Sequence, residues 1–193
     1  SNPGGGFRGK QQGTQEESLC RQSNLGVCLE SLYERVGGAR YMPRRGAVYA
    51  PDVIVFRGPE SEGYAMLDEP FWVSAIAASL RNGDADDAQL LGSKVAGVLS
   101  VAASHGHRSV VLGAWGCGAF GNAAEKVAAA FRDALRSAQF SGRFDTAVFA
   151  LPKRKGPNFE AFRAAMPEAA IVDLAAKAPA KARKGAGEDW RNA

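Results

Sequence analysis

Apolar positions recur at helical spacing through Leu19, Leu25, Val27, Leu29, Leu32, Tyr33 and Val36, and Gly37-Gly38 closes the run. Thr14 stands ahead of it as an N-cap with Glu17 three residues on, so one helix is expected from there. Two short β-like runs follow, 47–50 and 53–57, broken by Pro51-Asp52. Residues 61–70 are rich in turn formers, and the small-residue run 71–79 predicts a strand buried on both faces. The pattern then predicts a helix over 86–103, a buried strand over 109–113 and a helix from Asn122, as N-cap, to about Ser137. A strand over 144–151, a helix from Pro157 through Met166 and a short strand over 170–174 complete the chain. Helices alternate with strands and no internal repeat is visible, which points to an α/β fold with a largely parallel sheet.

Composition narrows this picture. The 193 residues are 46% hydrophobic and 23% charged, enough for one domain with a sizeable core and a tail. No apolar run approaches the ~20 residues that span a bilayer, and no secretion leader is visible, so no membrane partner is expected. The opening Ser1-Asn2-Pro3, without Met, reads as a trimmed start. The net charge of +4 is concentrated in residues 175–193, which hold five cations against two anions. That leaves the preceding part near neutrality, so a duplex nucleic-acid surface is not expected and the tail reads as disordered. Cys20, Cys28 and Cys117 form no C-x-x-C pair and are expected to be reduced thiols of a cytoplasmic protein. His105 and His107 lie near no other candidate ligand, so no metal site is expected.

Two segments carry candidate chemistry. Gly4-Gly5-Gly6 removes three β-carbons from a loop, so that its backbone N–H groups can lie against a ligand. After eight intervening residues, Gln15-Glu16-Glu17 places two carboxylates at a helix start. Consecutive helical residues point about 100° apart, so the two acids cannot aim at one atom. One carboxylate moving a proton and one holding hydroxyls is the better division. The second segment, Gly116-x-Gly118-x-x-Gly121, lies between a strand and a helix and superficially matches a dinucleotide fingerprint. The acidic partner expected ~20 residues later is poorly placed, because Asp133 falls within a helix and Asp145 precedes a strand. What survives is an anion site for a diphosphate at a helix N-terminus.

With Trp115-Gly116-Cys117-Gly118-Ala119-Phe120-Gly121 in place, the two segments together resemble the signature loops of poly(ADP-ribose) glycohydrolases of the microbial type. The resemblance implies a macrodomain-like three-layer sandwich, α/β, with a mixed, largely parallel sheet flanked by helices. It implies a domain over residues 1–174, N-terminally truncated relative to the family, and a basic tail over 175–193. In this reading Gly4, Gly5 and Gly6, with Gln15, hold the terminal ribose and phosphate. Glu17 is the catalytic acid and Glu16 binds ribose hydroxyls. Gly116, Cys117, Gly118, Ala119 and Phe120 clasp the diphosphate, and Phe120 packs on the scissile ribose. The implied reaction is hydrolysis of ribose–ribose bonds in poly(ADP-ribose) on modified proteins, by a monomer needing neither cofactor nor metal. A non-catalytic ADP-ribose-binding module and a hydrolase of another ADP-ribose linkage are the alternatives. Residues 75–82 lack the proline-rich ending of close relatives, and Tyr33, Tyr49 and Phe56 read as packing residues rather than adenine platforms.

Overall fold

The computed structural model describes residues 14–35, 45–151 and 155–170. The Gly4–Gly6 loop, the strand expected over 170–174 (except Ala170, which is irregular) and the tail from 175 lie outside them. The described residues form an α/β fold of five α-helices and two small sheets.

The single helix expected after Thr14 is two, α1 (Gln15–Gln22) and α2 (Leu25–Arg35). Ser23 is extended and its hydroxyl donates to Leu19 O at 2.6 Å while accepting from Leu25 N at 3.2 Å. Asn24 then accepts from Ile54 N through its side chain at 2.9 Å and donates its own N–H to Ile54 O at 3.2 Å. Two polar residues with short side chains thus give the backbone a tertiary partner that competes with continuing the helix. Periodicity alone is blind to that partner.

Strand β1 (Val48–Arg57) runs through Pro51-Asp52 as one bulged strand, with Asp52 at φ 55°. It pairs antiparallel with β2 (Met66–Ala77), in register Val48 to Ala77 and Val53 to Val73. The turn between them contains a short 3₁₀ segment, Glu60–Glu62. β2 is not buried on both faces: Phe71 and Trp72 are 51% and 66% exposed. A two-stranded sheet offers one face to α1 and α2, and nothing among the described residues covers the other side of these positions.

After a second 3₁₀ segment (Asp84–Asp86), α3 (Ala88–Ser104) is capped by Asp87, whose carboxylate accepts from Leu90 N at 2.9 Å. β3 (Ser109–Leu112), α4 (Ala124–Arg136) and β4 (Thr146–Phe149) form a right-sized crossover unit, with β3 and β4 parallel from Ser109–Thr146 to Leu112–Phe149. α5 (Pro157–Ala165) starts at its proline, as the sequence predicts, and packs on α4. Among the described strands, one pair is therefore antiparallel and one parallel.

Two hydrophobic clusters hold these pieces. The larger joins α3, α4 and α5 through Leu91, Val95, Leu99, Val127, Phe131 and Phe162. The smaller sets Cys20, Leu25 and Leu29 against Ala50 and Val53 of β1. Polar contacts link the sheet of β1–β2 to the rest. The Tyr49 hydroxyl lies 2.8 Å from His107 Nε2, and its ring stacks on His105 at 3.8 Å between centroids. Tyr49 is thus a packing residue, as expected.

Candidate active site

Helix α1 carries the acids. The Thr14 hydroxyl accepts from Glu17 N at 3.3 Å, which is half of the expected capping box. The Glu17 side chain turns to Arg21 instead, taking hydrogen bonds from Nε at 3.1 Å and from the terminal nitrogen at 2.7 Å. The hydrogen bond to Glu17 holds the Arg21 guanidinium above its ordinary range. Glu17 is buried and Glu16 only half-buried, so the two carboxylates occupy different environments. This follows from the 100° step between consecutive helical residues. Arg21 stands four residues after Glu17, the helical spacing that marks such a pair in the sequence. Arg21 also lines a groove of about 300 Å³ with Cys20, Phe56, Arg57 and Tyr64.

Gln15 brings α1 to the end of β3. Its side-chain amide nitrogen lies 3.7 Å from where a β-carbon on Gly113 would sit, at the carboxyl end of β3. The Gln15 side chain therefore reaches the carboxyl end of β3, three residues before Gly116, on the side of a parallel strand pair where open α/β sheets place their ligands.

The loop itself is a set of tight turns. Cys117 N donates to Ala114 O at 3.1 Å, Gly121 N to Gly118 O at 2.9 Å and Asn122 N to Gly116 O at 3.0 Å. Gly116 at φ 71° and Gly121 at φ 63° adopt left-handed conformations that L side chains resist. Gly118, Ala119 and Phe120 stand at the surface, while Trp115 packs inward and donates its indole N–H to Ala78 O at 3.2 Å. Phe120, 39% exposed, is thus not a core residue. Burial pushes the Cys117 thiol up to about 11, with Glu125 adding to it, and Cys20 rises to about 11 through burial and then Glu16. All three cysteines are free thiols. Among the described residues no group of three or more His, Cys, Asp or Glu could hold a metal ion.

Asn122 does not cap α4. The N-cap is Ala123, without a side-chain bond, and the Asn122 amide is turned into the protein. A buried pair, Lys94 and Asp84 at 2.8 Å, lies beneath the same region, and Lys94 also donates to Ser79 O at 2.7 Å. No sequence pattern marks either feature.

A buried acid on a capped helix and a glycine-lined loop are thus both present. Comparison with known proteins makes this specific. The family of microbial-type poly(ADP-ribose) glycohydrolase catalytic domains matches residues 1–58. The structure is similar to poly(ADP-ribose) glycohydrolase from Deinococcus radiodurans in complex with ADP-ribose, at 31% identity and TM-score 0.71, covering 87% of this chain and 72% of that one. It is also similar to the Thermomonospora curvata glycohydrolase bound to the inhibitor ADP-HPD, at 33% identity and TM-score 0.70, covering 85% of this chain and 66% of that one. None of the curated proteins matches the chain. The chain belongs to the poly(ADP-ribose) glycohydrolase family.

Proposed function

We propose that this chain hydrolyses the O-glycosidic ribose–ribose bonds of poly(ADP-ribose) on modified proteins and releases ADP-ribose. The reading is carried by membership of the glycohydrolase family, with the Gln15 side chain at Gly113, three residues before the Gly116–Gly121 loop. On this reading Gly116, Cys117, Gly118, Ala119 and Phe120 hold the diphosphate, with Phe120 against the ribose. Gly4, Gly5, Gly6 and Gln15 hold the terminal ribose and phosphate, and Glu16 its hydroxyls. Glu17 gives a proton to the departing ribose oxygen as the glycosidic bond breaks, leaving an oxocarbenium-like ribose. Water then adds to that carbon and returns a proton to Glu17, which restores the starting state. The Arg21 guanidinium, with two donors on Oε1, fixes the orientation of the Glu17 carboxyl group.

The same reading treats β1–β2 and β3–β4 as two parts of one mixed, largely parallel sheet in a macrodomain-like three-layer sandwich. The domain then spans residues 1–174 and the basic tail 175–193. The deciding measurement is release of ADP-ribose from polymer together with ADP-ribose affinity. Glu17→Gln is expected to lower turnover by at least ~10²-fold while affinity for ADP-ribose stays within a few-fold. Wild-type protein that binds ADP-ribose yet leaves polymer intact would leave only a binding module.

A further inference from the structure

We propose that Asn122 is a positioning residue for the diphosphate loop: its buried amide clamps residues 80–85 against Gly116 and sets the loop before ligand binds. The inference rests on the assignment of Gly116–Phe120 to the diphosphate. An asparagine directly ahead of a helix would ordinarily accept from that helix's first amides. Here the side chain, 7% exposed, is spent elsewhere. Its Oδ1 accepts from Ala85 N at 3.1 Å. Its Nδ2 is shared among Arg81 O at 3.0 Å, Gly116 O at 3.1 Å and Leu80 O at 3.3 Å. Gly116 O also receives the Asn122 backbone N–H at 3.0 Å, so the loop is closed on itself at the residue that closes it on its neighbour.

The fit leaves no slack. A β-carbon on Gly116 would stand 2.7 Å from Leu80 O and 2.8 Å from Asn122 Nδ2. The partner segment is itself anchored: Asp84 accepts from Arg81 N at 2.8 Å and pairs with buried Lys94. A rigid platform on one side and a glycine-tight approach on the other make the Asn122 amide the joint between them. Loop amides already aimed at the ligand lose less freedom on binding, which is where such a residue acts.

The test compares wild type, Asn122→Ala, Asn122→Asp and the core control Val127→Ala, whose side chain is fully buried in α4. Asn122→Asp keeps the shape and the acceptor for Ala85 N but presents a carboxylate to three carbonyl oxygens. Both Asn122 variants are expected to weaken ADP-ribose binding by ~10-fold or more and to raise KM for polymer similarly, with kcat within about twofold. Amide exchange over 115–121 should quicken in both without ligand, and Val127→Ala should change neither affinity nor that exchange. Folded Asn122 variants with wild-type affinity and exchange overturn the proposal. So does a Val127→Ala protein that loses as much affinity, or an Asn122→Asp protein that fails to fold, since either reduces Asn122 to a stability residue. If wild type does not bind ADP-ribose but exchange still quickens in both variants, the clamp stands and the functional reading falls.

Discussion

Cys117 shows how environment decides what a residue can do. A thiol in a glycine-rich loop invites a nucleophile reading, yet burial raises its pKa to about 11, and that of Cys20 likewise. At pH 8 only about a thousandth of each is thiolate. Iodoacetamide at that pH should therefore leave both unmodified in the native protein and label both quickly in urea, as read by peptide mass spectrometry. Fast native labelling of Cys117 would contradict its placement. Glu17 and Glu16 make the same point: adjacent in sequence, they differ in burial because the helix turns one inward.

At the scale of elements, the break between α1 and α2 is made by side chains that trade helix bonds for bonds to β1. Asn24→Ala removes the acceptor for Ile54 N and should cost about 1–2 kcal/mol. Urea unfolding should show the lower midpoint with an unchanged slope. The entries to β3 and β4 are joined by Arg108 and Asp145, whose Nε–Oδ2 distance is 2.7 Å. The hydrogen bond from Arg108 holds the Asp145 carboxyl below its ordinary range. A carboxyl depressed on folding stabilises above its unfolded pKa, near 4, and that contribution is lost as pH falls through the folded value. Asp145→Asn should therefore melt slightly below wild type at pH 7, and the gap should close below about pH 3. The effect stays small because both side chains are about three-fifths exposed.

For the whole molecule, the Lys94–Asp84 pair joins α3 to the segment after β2, with side chains 3% and 7% exposed. Lys94→Met removes the buried ammonium that pairs with Asp84 and should lower Tm, much of it recovered in the Lys94→Met/Asp84→Leu double variant. A thermal melt of the two variants decides this, and a double variant no better than the single would refute it. If the proposed site holds ADP-ribose, that ligand should stabilise the folded protein. At 100 times its Kd, ADP-ribose adds about 2.7 kcal/mol. For a chain of this size that is a rise of roughly 5–10 °C in Tm.

The amino-acid sequence determined the local events: the Thr14 cap, the proline start of α5 and the β3–loop–α4 unit, because spacing and turn chemistry act within a few residues. It also carried the family, since glycine-dependent loops tolerate little change in type or order. Only the tertiary structure decided which polar groups were claimed from a distance. It split the first helix at Ser23-Asn24, ran β1 through Pro51-Asp52, exposed Phe71 and Trp72 and turned Asn122 from cap to clamp. In each case the competing partner, Ile54, β2 or Gly116, is set by packing and not by neighbours in the chain.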